Sequence, residues 1–254
     1  MDTSEYSEDI AEQLRTHDAA RAEIREHIRV DTQQGTMKSR WACANMISNM
    51  AHSSNQTPDT IIAAIELLDR YVASSVGIPG VWHMDGLREL AGTLLVMASK
   101  LTAVRDVLEI EELIKFCGHR PKASLLAMEL WIANSVKFAF PTPSAGYFFV
   151  VLADAVRLSR VARAIAELLM EISLSCTQLL GRSPLVLIAA SIMAAQDAAH
   201  EKIVPFPEAV AKICGDGLIG VSLEIANVAK TMDRRNCLIV QQFPIAILAM
   251  VGIR

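Results

Sequence analysis

The chain has little aromatic character: Phe, Trp and Tyr make up 5% of it, against 52% hydrophobic residues in all. Its core must therefore be aliphatic. A core of Leu, Ile, Val, Ala and Met favours helix on helix, because strands draw on aromatic and β-branched side chains. Proline and glycine are sparse, at 9 and 12 residues, and fall between periodic segments as helix punctuation does. Long basic runs are missing too. With a net charge of −4 and a pI near 5.9, the chain lacks the lysine and arginine patch that a duplex-binding surface needs. The five cysteines are odd in number and form no C-x-x-C pair, which points to a reducing compartment rather than a disulfide framework. The apolar runs Leu185–Ala195 and Phe243–Ile253 fall short of the roughly 20 residues a membrane span needs. Met1 to Asp9 is acidic, unlike a signal peptide. The composition thus leads us to expect a soluble, intracellular, all-α protein.

Catalytic motifs are equally scarce. There is no H-E-x-x-H, no P-loop and no G-x-S-x-G. Cys117-Gly118-His119 reads as a helix end followed by a polar turn, and Glu111-Glu112 as a solvated helical face. The residues nominate no catalytic group, no metal site and no cofactor.

What the sequence does contain is a succession of helices. Ser4 to Val30 is a polar helix with a thin apolar stripe of Tyr6, Ile10, Leu14, Ile24 and Ile28, too thin to fold without leaning on a body or a partner. Helices are predicted next at 39–50, 59–75 (opened by Thr57-Pro58), 90–100, 108–117 and from Pro121 towards Val136. Leu90 to Ser99 is apolar or small throughout and must be buried on nearly every side. Lys100 closes it, where a cation suits the helix dipole. After Pro141 and Pro143 the plan repeats, with helices at 142–158, 159–175, 184–199, 206–214 and 218–232. The halves also echo each other in sequence. Glu66-Leu67-Leu68 answers Glu167-Leu168-Leu169, Val96 to Lys100 answers Ile192 to Gln196, and Met128-Glu129-Leu130 answers Leu223-Glu224-Ile225, at offsets between 95 and 101 residues. The expected architecture is a duplicated five-helix unit: an N-terminal helix and linker over 1–36, one five-helix fold over 37–140, a second over 141–233, and an apolar tail over 234–254. That tail reads as a segment packed back on the body, or as an extra partner surface. Because Gln196 stands where Lys100 does, the lysine is not required by the unit's own packing.

At these residues the chain resembles a cyclin. The resemblance runs from Glu5 to about Met232. It is carried by Ile65-Glu66-Leu67-Leu68-Asp69-Arg70-Tyr71, Met97-Ala98-Ser99-Lys100 and Met128-Glu129-Leu130, with Pro141-Thr142-Pro143 before the second fold. Glu5 to Ile10 and Leu14-Arg15 are similar to the helix that precedes the box in A- and B-type cyclins, which packs partly on the kinase. The resemblance places Tyr6 and Ile10 at that contact. It places the family's lysine and glutamate, which bond to kinase main chain beside the αC helix, on Lys100 and Glu129. Leu101, Ala133, Phe138 and Phe140 would supply the surrounding apolar contact. Arg40 and Asp69 look like the family's internal ion pair.

The departures lie in the family's substrate-docking groove. Its Met-Arg-x-Ile-Leu and following Trp become Ser39-Arg40-Trp41-Ala42-Cys43 and Met46, Asn49 replaces an acid, and Leu87 is kept beside Arg88. Leu101-Thr102-Ala103 replaces the aromatic and acids that usually follow the lysine. No destruction box precedes the helices, and Arg182-Ser183-Pro184-Leu185 opens a buried helix instead. A short chain with a degenerate groove and no degron is similar to the viral cyclins of gammaherpesviruses. The resemblance implies a non-catalytic activator of a cyclin-dependent protein kinase that drives the cell cycle, in the nucleus and cytoplasm (of a host cell, if viral), meeting kinase substrates or inhibitors but no nucleic acid and no membrane. The alternative in the same fold is a transcription factor or scaffold similar to transcription factor IIB.

Overall fold

The computed structural model describes residues 15, 18–29, 34–74, 84–102, 107–118, 121–140, 144–206, 208–215, 217–234 and 237–253. It is all-α among these residues. After a helix at 18–29 (α1) come α2 (Gln34–Ser53), α3 (Pro58–Ser74), α4 (Met84–Thr102), α5 (Ile110–Phe116) and α6 (Lys122–Ser135). The second series is α7 (Ala145–Ala155), α8 (Arg160–Ser175), α9 (Pro184–Ala198), α10 (Glu208–Cys214) and α11 (Leu218–Thr231), and the tail forms α12 (Leu238–Gln241) and α13 (Ile245–Met250). No helix among the described residues is long and apolar enough to cross a membrane. The unforeseen element is a 3-10 turn at Thr177–Leu179 after α8.

The chain divides into two compact units. One comprises residues 24–146 and 175–180; the other comprises 1–23, 147–174 and 181–254. In the first, α3 and α4 form the centre. Residues 60–69 of α3 and 89–99 of α4 are buried without a break, so both helices are enclosed as their apolar sequence demands. Thr57 caps α3, its Oγ1 accepting from the Thr60 N–H at 3.3 Å, and Thr60 shares a hydroxyl bond of 2.8 Å with Thr102 of α4. Gly118 ends α5 at φ +71°, the left-handed conformation a helix C-terminus favours.

Buried polar groups hold this unit in register. Arg40 on α2 is fully enclosed. Its Nε and Nη2 donate to the two Asp69 oxygens on α3 at 2.6 and 3.1 Å, and its Nη1 donates to the Ser175 carbonyl at 2.6 Å. Arg25 of α1 adds a second cation 3.5 Å from Asp69. At the start of α7, Ser144 bonds Asp59 and the Ala145 N–H donates to Glu66 at 3.2 Å, so two α3 carboxylates serve one helix N-terminus. Gly146 lies so close that a Cβ there would stand 2.6 Å from the Asp59 Cα.

In the other unit, α8, α9 and α11 supply the core, with Ile165, Leu168, Leu169, Leu187, Ile188 and Ile225 all essentially inaccessible. Ser183 caps α9, whose first residue is Pro184. Asp18 of α1 reaches the same terminus, accepting from Ser183 Oγ and, at 2.8 Å, from the Leu185 N–H. The tail is helical and packed back: Cys237, Ile239, Val240, Phe243, Leu248, Val251 and Ile253 are buried.

Candidate functional site

The apolar body of α4 stops at Ser99, and Lys100 emerges from it with its side chain 47% exposed. Its ammonium donates to Glu129 Oε1 on α6 at 2.6 Å. Two further bonds anchor α4, one about three turns before Lys100 and one at Ser99 beside it. Ser124 of α6 donates to the buried Glu89 of α4 at 2.7 Å, and the Leu108 N–H donates to Ser99 Oγ at 2.8 Å. So α6 is held on α4 by a polar bond below the pair, and the pair itself faces outward.

α6 is apolar on more than its buried face. Leu125, Ile132 and Ala133 point inward, while Leu126, Leu130 and Trp131 are 48%, 59% and 37% exposed. Trp131 meets the buried Tyr71 edge-on at 5.8 Å, which fixes its ring while leaving part of it to solvent. The helix then ends in two consecutive left-handed residues, Lys137 (φ +52°) and Phe138 (φ +56°). Neither is glycine or asparagine, so the turn carries strain of about 1–3 kcal/mol per residue that the Phe138 N–H bond to the Ala133 carbonyl (2.8 Å) helps to hold. The result is an outward Phe138, 58% exposed, with its ring edge-on to the half-buried Phe140 at 6.2 Å.

Of the residues singled out in the sequence, Lys100 and Glu129 are therefore brought into contact. Leu101 follows half-buried at the end of α4, and Ala133, Phe138 and Phe140 lie along the end of α6 and the turn beyond. Tyr6 and Ile10 lie outside the described residues. In the second series Gln196 is buried at 1% exposure, so the position equivalent to Lys100 faces the core there.

The degenerate groove residues are placed differently. Cys43, Met46 and Leu87 are core residues, and the Cys43 thiol donates to the Leu87 carbonyl at 4.0 Å. Burial pushes that thiol far above its ordinary pKa, outweighing the opposing pull of Arg40. Ser39, Ala42 and Asn49 are half-buried, and Arg88 is exposed, its carbonyl accepting from Cys117. Among the described residues no three His, Cys, Asp or Glu side chains converge as a metal site. Sequence reasoning missed Arg25, Asp18 and Ser175. Asp18 is a helix cap 167 residues from its partner, and Ser175 acts through its carbonyl, which no residue type advertises.

Fold and site together define an all-helical protein, among the described residues, with an outward Lys100–Glu129 pair beside exposed apolar side chains of α6. The cyclin N-terminal domain model matches residues 9–140, and the chain belongs to the cyclin family. Among solved structures, a viral cyclin from herpesvirus saimiri superposes with a TM-score of 0.63 at 13% identity, covering 78% of this chain and 86% of that one. A chain of the CAK complex from Chaetomium thermophilum, bound to ATP-γ-S, gives a TM-score of 0.48 at 17% identity over 95% and 83% of the respective chains. No curated protein matches the sequence.

Proposed function

We propose that this cyclin is the regulatory subunit of a cyclin-dependent protein kinase, which it binds through the face of Lys100 and Glu129. The observation that carries the reading is the exposed ion pair on a stretch that also exposes apolar side chains, Leu126 one turn before Glu129 on the same side of α6 and Phe138 beyond the helix end. Lysine has three donors and an ionised carboxylate about four acceptor sites, so their mutual bond leaves both with capacity to spare. A partner main chain offers both carbonyls and N–H groups, and one lysine and one glutamate side by side can serve both. The apolar surround would exclude water from these bonds and strengthen them.

Activation follows from what the contact would favour. In the free kinase the αC helix is turned out and its Lys–Glu ion pair to the ATP phosphates is broken. A surface that binds only the inward αC shifts the population towards the active state by its differential affinity. The protein contributes no catalytic group of its own to phosphotransfer. Burial of Cys43, Met46 and Leu87 supports weak docking of substrates and inhibitors through the groove, a property in keeping with a viral cyclin acting on a host kinase in the nucleus and cytoplasm. Charge reversal tests the assignment. Lys100→Glu should lower kinase affinity by about a hundredfold, as expected when a buried hydrogen-bonded interface charge is lost, and unchanged binding by titration calorimetry would refute it.

A further inference from the structure

A second exposed apolar face lies in the other unit, on α11 and α13. Leu223 is 60% exposed, and Ile219, one turn earlier on the same side of α11, is 64% exposed. On α13, Met250 and Ile245 are 46% and 66% exposed. Of these four, Leu223 and Met250 line a cleft of about 450 Å³. Ala194 and Ala226 line it, leaving a depression where larger residues would fill it, and Leu223 and Met250 stand in its walls. Projections beside a depression are the two halves of a self-matching shape.

The charges in the cleft match themselves as well. Asp197 and Lys230, of opposite charge, both line it, together with His200. Lys230 is in the last turn of α11, where the helix dipole favours a cation, and its stem lies against Gly252. Asp197 is in the last turn of α9, where the dipole disfavours an anion and an external cation would relieve it. A partner of single charge would satisfy one of them and repel the other. A second copy turned by a two-fold axis would set each Asp197 against the other chain's Lys230, and would offer apolar projections to the opposite cleft.

We infer that this face joins two copies of the chain in an isologous dimer, with Leu223 and Met250 as its apolar centre and Asp197–Lys230 as its reciprocal charge pair. The inference stands independently of the kinase reading, because it concerns a different face.

The test is sedimentation equilibrium of the full chain from about 1 to about 200 μM, a range that spans micromolar dissociation constants. The expected result is a concentration-dependent rise from 27.7 kDa towards twice that mass. Leu223→Asp with Met250→Asp should raise the dissociation constant more than about tenfold. Asp197→Lys and Lys230→Asp should each weaken the dimer by about tenfold, and the two together should restore it to within about threefold of the original. All four side chains are on the surface, and circular dichroism shows whether each variant is folded. If the apolar double variant unfolds, the charge-swap cycle decides alone. A monomer at the highest concentration overturns the inference. So does a dimer that the charge swap does not weaken and then rescue.

Discussion

At the scale of single residues, the chain uses its charges in two opposed ways. Arg40 is enclosed, with no accessible surface, and makes two bonds to Asp69 and one to a carbonyl. Removing it leaves a buried carboxylate short of its main partner, and Arg40→Ala should cost about 3–5 kcal/mol in urea unfolding, with Arg40→Lys unable to restore the forked geometry. Lys100 is the reverse. Its bond to Glu129 is open to solvent and contributes at most about 1 kcal/mol, so Lys100→Glu should unfold near the wild-type midpoint. The contrast separates a residue kept for the fold from one whose exposure suits a partner. The thiols are also set by burial. Cys214 is raised from 9.0 to about 12, chiefly by desolvation and further by Asp18. The unfolded thiol ionises first, so its contribution to stability is complete below pH 9.0 and fades as pH rises through about 12. Chemical unfolding between those limits should show stability declining with pH, and a Cys214→Ala variant should show a shallower decline.

At the scale of elements, the helices were largely legible because apolar spacing and capping residues speak locally. Thr57-Pro58 and Ser183-Pro184 each open a helix where the sequence places it. Leu90 to Ser99 is buried throughout, as a helix with no polar face must be. What stayed hidden depends on partners distant in sequence or on backbone geometry. The strained turn at Lys137–Phe138 uses residue types that give no signal for left-handed φ. The cap that Asp18 supplies to α9 is visible only when two remote helices are placed together. Asp18→Ala should lower stability by about 1 kcal/mol, measured by urea unfolding and by faster amide exchange in the first turn of α9. Gly146 is a sharper case. Its missing Cβ makes room for the Asp59 backbone, so Gly146→Ala forces α3 and the start of α7 apart and should cost about 1–3 kcal/mol, with the loss read from the urea midpoint.

At the scale of the whole molecule, the sequence echo between the halves does more than double the fold. It lets each half act as the other's control. Position 100 faces solvent while its echo at 196 is buried, and Leu126 and Leu130 of α6 are exposed where their echoes Val221 and Ile225 are buried and α11 exposes Ile219 and Leu223 instead. That asymmetry at position 100 is what singled out Lys100 and Glu129 as the candidate site. Which kinase the proposed contact would serve was not legible, since that would depend on surface shape around the pair rather than on the pair. The central claim is that this face binds and activates a cyclin-dependent kinase. The most direct measurement mixes the purified protein, wild type or Lys100→Glu, with a panel of purified cyclin-dependent kinases and records complex formation and phosphotransfer in the same samples. The account predicts at least one kinase that is bound and activated by the wild type and neither bound nor activated by the variant. Equal activation by both proteins, or no complex with any kinase in the panel, would contradict it.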